Sequence, residues 1–335
     1  MKYLIFVFKH RFRQNSLNNF LKSKKIKDFK IINFSGPLLS ILGKFLYLII
    51  RSKNIIFISC DGLDFLKREQ NAINFWMGGT SNKIPEKYRN FGNNFVAANT
   101  IFTDESKVLT FYPILIKNNK MNKNFKFVYI SENKKIELSQ SLSIWKMFKK
   151  KILERLDIIN DKKFWEDIID TNPFISQQIY IDIKSLIRIR LLEELNDKLK
   201  DKLILVGSNW QKLYPNALKD NYSNKFTEEM YKGNVCIDFG SKNSEKSIYP
   251  RTCKIIESGG ILFQSKQQDS KNIFGELFDV TCFKSLNDMN KKVDYFLKNP
   301  NILDEILFKQ KKNFENEDFN YKTLKKLANN GKNKT

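Results

Sequence analysis

The stretch YPRTCKIIESGGIL, residues 249–262, predicts a short helix that leads directly into a buried strand. Pro250 suits the first position of a helix, where its missing N–H costs nothing, and the glycine pair suits a left-handed helix end. The helix dipole favours an acid at the start and a base at the end, yet Arg251 stands at the start and Glu257 at the end. Local rules that are broken together often mark a functional site.

The rest of the chain repeats this alternation of strands and helices. Apolar runs in the first half predict strands at KYLIFVF (2–8), DFKIINFSG (28–36) and NIIFISCDG (54–62), with helical patterns between them. Further strands are predicted in the second half at 125–133, 202–210, 234–241, 260–265 and 278–285. This alternation favours parallel sheets, so each half is expected to be an α/β structure.

Helices and a boundary complete the predicted organisation. Helices are expected over 63–76 and 182–200, and two amphipathic helices close the chain. Periodicity is lost over 111–124, where we place a domain boundary. The predicted regions are an N-terminal domain (1–118), a C-terminal domain (119–310), and a helix with a frayed tail (311–335).

Composition indicates a globular protein of a reducing compartment. Its 335 residues are 41% hydrophobic and include 29 Phe, enough for sizeable cores. The four cysteines form no CxxC pair, and the single histidine excludes a histidine-rich metal site. The N-terminal apolar run passes into His10, Arg11 and Arg13 without a cleavage pattern, so we predict a cytoplasmic protein without a secretory signal.

The formal charge of +23 has three interpretations. It is a solvated basic surface of a lysine-rich chain, or it attracts an anionic membrane or a phosphorylated substrate, or it binds nucleic acid. The lysines are scattered over the whole chain, and no helix-turn-helix, zinc or RNA-recognition signature is present. Nucleic acid is therefore not the expected partner.

The most apolar segment is PLLSILGKFLYLII, residues 37–50. It is too short to span a bilayer and carries Lys44. Two alternatives stay open: a buried helix of the N-terminal sheet, or a helix at the inner face of an anionic membrane, where the basic residues around it would hold the protein peripherally.

Three segments of the second half together resemble a known family. They are LILVGSNW (203–210), GNVCIDFGSKNSEKSIYPRTCKIIESGGILFQ (233–264) and LFDVTCFKSLNDMNKKVDYFLKNP (277–300). They look like glycosyltransferases of the two-domain GT-B type (glycosyl transferases group 1), in particular those with a spore-maturation-protein-like C-terminal domain. The resemblance implies two Rossmann-like, doubly wound domains facing across a cleft. The C-terminal domain would hold a nucleotide-sugar and the N-terminal domain the acceptor.

The resemblance also gives the opening segment a function. A helix N-terminus attracts anions, so Arg251 would clamp the diphosphate of the donor. By the same likeness, Glu257 would accept hydrogen bonds from the ribose, and Gly259 and Gly260 would permit close backbone approach. The alternative is a surface pair of Glu257 with Lys254 and a plain glycine helix cap. Many retaining enzymes carry a second glutamate where this chain has Tyr249, so the sequence does not assign the stereochemistry.

A second basic cluster is predicted at the start of the 182–200 helix. Lys184 and Arg188 share one helix face there, whereas Glu193 and Glu194 come later, the reverse of what the dipole prefers. The cluster is interpreted either as part of the nucleotide-sugar site or as a solvated basic face.

The remaining candidates follow predicted strands, because ligands of open α/β sheets bind at the carboxyl ends of strands. His10 and Asp61 are candidates for the general base of an inverting transfer. Candidates for donor binding are Gly207, Ser208, Asp238 and Ser241. No DxD carboxylate pair stands at a strand end, so neither a metal nor another cofactor is expected, and a nucleotide-sugar enters as a substrate.

The leading interpretation is a hexosyltransferase-like, metal-independent glycosyltransferase of cell-surface glycan biosynthesis, acting on a glycan, lipid or protein. The alternatives are a nucleotide-sugar-binding protein without catalysis and a basic scaffold at a membrane surface or on nucleic acid.

Overall fold

The computed structural model describes residues 3–8, 29–34, 41–42, 45–46, 55–59, 73–76, 93–96, 119–166, 168, 173–219, 223–240, 250–267 and 270–316. The chain divides into two compact units, Met1–Leu115 with Glu317–Thr335, and Ile116–Asn316. The functional boundaries proposed at residues 118 and 310 stay a prediction.

A parallel five-stranded sheet forms most of the described part of the first unit. Its strands are β1 (Tyr3–Phe8), β2 (Phe29–Phe34), β3 (Ile55–Ser59), β4 (Ile73–Trp76) and β5 (Asn93–Val96), in the order β2-β1-β3-β4-β5. The prediction of a helix through residue 76 is wrong at its end, because Ile73–Trp76 pairs with β3 and β5. Ile, Phe and Trp, all present in this short run, are residue types that are enriched in strands.

The second unit contains another parallel five-stranded sheet. Its strands are β6 (Phe127–Ile130), β7 (Leu203–Val206), β8 (Val235–Asp238), β9 (Ile261–Ser265) and β10 (Cys282–Phe283), in the order β10-β9-β8-β6-β7. In each unit the first strand of the chain therefore lies between the second and the third. The predicted parallel α/β arrangement is confirmed for the strands of both units.

Nine helices are described in residues 119–316. They are α1 (Ser139–Glu154), α2 (Lys162–Glu166), α3 (Pro173–Leu199), α4 (Asn224–Tyr231), α5 (Pro250–Glu257), α6 (Ser270–Phe274), α7 (Phe278–Thr281), α8 (Leu286–Lys298) and α9 (Ile302–Asn316), with 3₁₀ turns at Leu156–Asn160, Lys200–Lys202 and Gly275–Leu277. The two closing helices are confirmed as α8 and α9. The strand predicted over 278–285 is reduced to β10, since Phe278–Thr281 is helical. Within the described ranges, no helix combines the length and apolarity that a membrane span requires.

The core of the second unit lies in and around its sheet. Side chains of the central strands β6, β8 and β9 are fully buried, including Phe127, Val128, Ile237 and Phe263. A parallel sheet covered by helices on both faces needs such continuous apolar strands, which explains why these segments show no polar alternation.

Helix α3 begins earlier than the sequence predicts. It starts at Pro173 and runs for 27 residues, so Lys184 and Arg188 lie in its middle. The expected position at a helix N-terminus is therefore wrong, and no helix dipole explains these two cations.

A buried carboxylate joins α3 to α1. Asp182 is 1% exposed, and its Oδ2 accepts hydrogen bonds from the backbone N–H groups of Glu137 and Leu138 and from Ser141 Oγ. The N-cap residue of α1, Leu138, has no capping side chain of its own. Asp182 thus satisfies donors at the start of α1 from a distant part of the chain.

We predict that Asp182→Ala lowers the free energy of unfolding of this unit by about 2–3 kcal/mol, because hydrogen bonds to a charged acceptor are lost. Urea denaturation followed by tryptophan fluorescence measures the change. Asp197→Ala, at an exposed position of the same helix, is the matched control and should change stability by less than about 0.5 kcal/mol. Equal effects of the two substitutions would contradict this role of Asp182.

Candidate functional site

The order of the second sheet creates a crevice at its carboxyl edge. From β6 the chain crosses to β7 on one side, whereas β8, β9 and β10 follow on the other side. Ligands of open parallel sheets bind where the connections diverge in this way, here between β6 and β8. Ser131 follows β6 at this point, and Asp238 ends β8.

Asp238 is the centre of a polar cluster at this crevice. Its side chain is fully buried, and its Oδ1 accepts a hydrogen bond from the N–H of Gly240 at 3.0 Å. Its Oδ2 accepts from Thr252 Oγ1 and, at 3.3 Å, from Gln264 Nε2. Arg251 Nη1 lies 3.6 Å from Oδ1. These partners compensate the burial of the carboxylate.

Arg251 connects the two strands beside the crevice. It lies in the first turn of α5, and its side chain is 18% exposed. Nη2 donates to Ser131 Oγ at 3.2 Å, while the guanidinium carbon lies 5.8 Å from the ring centre of Tyr129. The predicted helix and the predicted place of Arg251 at its start are confirmed.

A second arginine reaches the same edge from α3. Arg188 is 5% exposed, and its Nη2 donates to the carbonyl of Gly240. Crossovers between parallel strands are right-handed, and the connections holding α3 and α5 run in opposite directions along the sheet. The two helices therefore cover opposite faces, and the two arginines approach the crevice from both sides. We call Ser131, Arg188, Asp238, Gly240 and Arg251 the switch-point cluster.

A small cavity of about 30 Å³ adjoins this cluster on the α3 side. It is lined by the cations Lys184, Arg188 and Lys266, and by Gln267. Lys184 is 7% exposed, with its Nζ 4.7 Å from the ring centre of Tyr180. Gln267 Oε1 is buried and has no hydrogen-bond partner among the described residues. Among Lys184, Arg188, Arg251 and Asp238, three side chains are positive and one is negative, so this group carries a net charge of +2.

Two glycines are required at this edge by close contacts. Gly240 has φ +75°, and a Cβ on it would stand 2.4 Å from Gln267 Nε2. Gly207 has φ +142°, and a Cβ there would stand 2.1 Å from the carbonyl oxygen of Ser131. The adjacent Ser208 accepts a hydrogen bond from the N–H of Asn133 through its carbonyl. Gly207 and Ser208 thus pack the β7 loop against Ser131.

The structure does not bring Glu257, Gly259 and Gly260 together with Arg251. Helix α5 runs back from the carboxyl edge, and Glu257 lies six residues after Arg251, about 9 Å along the helix axis. Gly259 accepts from the N–H of Gly233 through its carbonyl, and Gly260 directly precedes β9. These positions belong to the amino edge of the sheet, so the expectation that Glu257 shares the site of Arg251 is not met. Lys254 pairs with Glu228 at 3.5 Å.

Several predicted residues fall outside the described part of the chain: His10, Asp61 and Ser241. Within the described part, no group of three His, Cys, Asp or Glu side chains is arranged to hold a metal ion. The expectation of metal independence stays a prediction.

Buried thiols near the sheet are poor nucleophiles. Burial raises the pKa of Cys282 to about 12, an effect that Thr281 and Lys292 oppose. Burial also raises the pKa of Cys236 well above its ordinary value. Both stay protonated at neutral pH, so a reaction at this edge would not use them as thiolates.

Sequence reasoning missed Thr252, Gln264 and Gln267 as parts of the site. Each is buried and polar in or beside an otherwise apolar element, as in the strand ILFQS. Burying a polar residue within such a strand costs free energy unless the residue is hydrogen-bonded. A polar residue inside an apolar run was therefore the sequence signal that could have indicated these positions.

Comparison with known proteins agrees with this geometry. Residues 188–324 match a family described as glycosyl transferase-like. The matched segment contains Arg188, Asp238, Gly240 and Arg251 of the switch-point cluster. No curated protein matches the chain. Residues 188–324 of this chain are therefore similar to a glycosyltransferase-like family of the group 1 kind.

Proposed function

We propose that the chain transfers a sugar from a nucleotide-diphosphate sugar to a glycan, lipid or protein acceptor. The observation that carries the proposal is the convergence of buried Arg188 and partly buried Arg251 on the crevice between β6 and β8, within a glycosyltransferase-like segment. The donor is the type of ligand that this crevice suits, because its diphosphate is an anion and its nucleoside has a flat face.

The diphosphate would dock at the start of α5. The first turn of a helix has backbone N–H groups without intrahelical partners and a partial positive charge. Arg251 adds a guanidinium there, whose charge Asp238 partly offsets, and Arg188 and Lys184 add charge from the opposite face of the sheet. Together these groups favour a phosphate-bearing ligand over a neutral one.

The same groups would assist the chemistry. An acceptor hydroxyl attacks the anomeric carbon, the bond from that carbon to the diphosphate oxygen breaks, and the leaving diphosphate takes the bonding electrons. Fixed cations around that oxygen stabilise the developing charge, and for this reason we propose transfer without a divalent metal. The hydroxyl proton would pass to a general base, for which His10 and Asp61 are the candidates from the sequence.

Asp238 is proposed as a positioning residue. Its two oxygens already interact with Gly240, Thr252, Gln264 and Arg251, so it has little capacity left to accept a proton from the acceptor. Instead, it fixes the arginine and the loop after β8.

Nucleotide binding is the first test of this function. Thermal unfolding of the full chain is measured with UDP, GDP, ADP, dTDP and CMP, and one of them should stabilise it by about 2.7 kcal/mol at 100 times its dissociation constant. The matching nucleotide-sugar should then label an acceptor, and a chelator should leave turnover unchanged. Binding without transfer would favour the non-catalytic alternative, and no stabilisation by any nucleotide would contradict the proposal.

We predict that Arg251→Ala lowers turnover about 100-fold, because a charge-stabilising donor beside the leaving group is lost. Nucleoside affinity should change much less. Since the substitution also leaves Asp238 without its cation, Arg251→Lys is measured beside it and should retain the fold with intermediate turnover. Steady-state kinetics with radiolabelled donor provides the comparison.

Two variants sharpen this test. Arg190→Ala removes an arginine that pairs with Glu193 and Glu194 on the surface of α3, and it should leave turnover unchanged.

Glu257→Ala distinguishes the position of Glu257 in the structure from the ribose contact that the family resemblance implies. Its position at the amino edge predicts unchanged nucleotide affinity, whereas a ribose contact would make its loss cost about 1.5–3 kcal/mol. A weakened affinity would show that Glu257 does reach the nucleotide.

A further inference from the structure

An apolar helix face in the first unit is open to solvent. Residues 41–42 and 45–46 are helical. The side chains of Ile41, Leu42 and Phe45 are 59%, 52% and 65% exposed. Phe45 stands four positions after Ile41 and three after Leu42, so these side chains lie on one side of a helix. We call this side the Phe45 face.

This exposure favours the second of the two sequence alternatives for the 37–50 segment, a helix at a membrane surface. In a helix buried on all sides these three side chains would be hidden, but here they are exposed. A single exposed apolar residue is ordinary, whereas three large neighbours on one helix face indicate an interaction surface.

Charge identifies the kind of partner. The chain carries a formal charge of +23, and Lys44, Arg51 and Lys53 stand close to the Phe45 face in sequence. Two copies of so basic a chain repel each other, which disfavours self-association through this face. An anionic bilayer supplies both the opposite charge and an apolar layer in which the three side chains can be buried.

We propose that the Phe45 face docks on the surface of an anionic lipid bilayer. Ile41, Leu42 and Phe45 enter the boundary between headgroups and acyl chains, while basic residues of the segment attract the lipid phosphates. Attachment is peripheral and reversible, because a few side chains and charges contribute far less than a membrane-spanning helix. This binding is independent of the sugar-transfer function.

Co-sedimentation with vesicles tests the proposal directly. The purified full chain is mixed at low salt with vesicles of phosphatidylcholine alone or of phosphatidylcholine with phosphatidylglycerol. We expect pelleting only with the anionic vesicles and release at high salt, since salt screens the attraction. Phe45→Ser should weaken partitioning about tenfold, because a large apolar side chain no longer leaves water. Lys44→Glu should weaken it about fivefold or more.

Phe308→Ser is the matched control, since Phe308 on α9 is also 65% exposed. It should leave vesicle binding unchanged, and circular dichroism checks that each variant keeps its fold. Equal binding to neutral and anionic vesicles, or to neither at low salt, would overturn the proposal. So would an equal loss in Phe45→Ser and Phe308→Ser. Light scattering that shows a dimer broken by Phe45→Ser, with vesicle binding intact, would assign the face to a second copy instead.

Discussion

The carboxyl edge of the second sheet depends on the neutralisation of one buried carboxylate. Asp238 is fully buried at the end of β8, and a buried charge without partners costs several kcal/mol. The backbone of Gly240, the side chains of Thr252 and Gln264, and the guanidinium of Arg251 therefore converge on it. This convergence fixes the start of α5 beside β6, so the same contacts that satisfy the core also hold a cation at the crevice.

The excess of positive charge at the crevice follows from this arrangement. Asp238 offsets one arginine, whereas Arg188 and Lys184 arrive from the other face of the sheet on α3. An anionic ligand therefore meets cations that are already ordered by buried contacts and need little reorganisation on binding. The membrane surface proposed for the first unit uses charge differently, since its lysines and arginines would act on lipid phosphates through screened, long-range attraction.

The sequence predicted the features that arise from local rules. Apolar runs predicted most of the strands, and the proline and glycine signals bounded α5 with Arg251 in its first turn. The sequence did not predict the features that depend on tertiary contacts. Helix α3 extends back to Pro173 because it packs on α1, and Thr252 and Gln264 acquire their role only beside Asp238. The family resemblance implies a place for Glu257 beside the nucleotide, whereas α5 runs away from the carboxyl edge and ends at the amino edge, just before β9 begins.

Calorimetric titration of the full chain with a matched series of ligands tests whether the cations of the crevice bind the phosphates of the donor. The series consists of a nucleoside and its monophosphate and diphosphate, measured for the wild type and for Lys184→Gln, with Lys198→Gln at the far end of α3 as the control. If the cations of the crevice hold the donor, affinity rises with each phosphate. Lys184→Gln should then lower the affinity for the diphosphate, relative to that for the nucleoside, about tenfold. A nucleoside that binds as tightly as its diphosphate, or equal losses in Lys184→Gln and Lys198→Gln, would contradict the account.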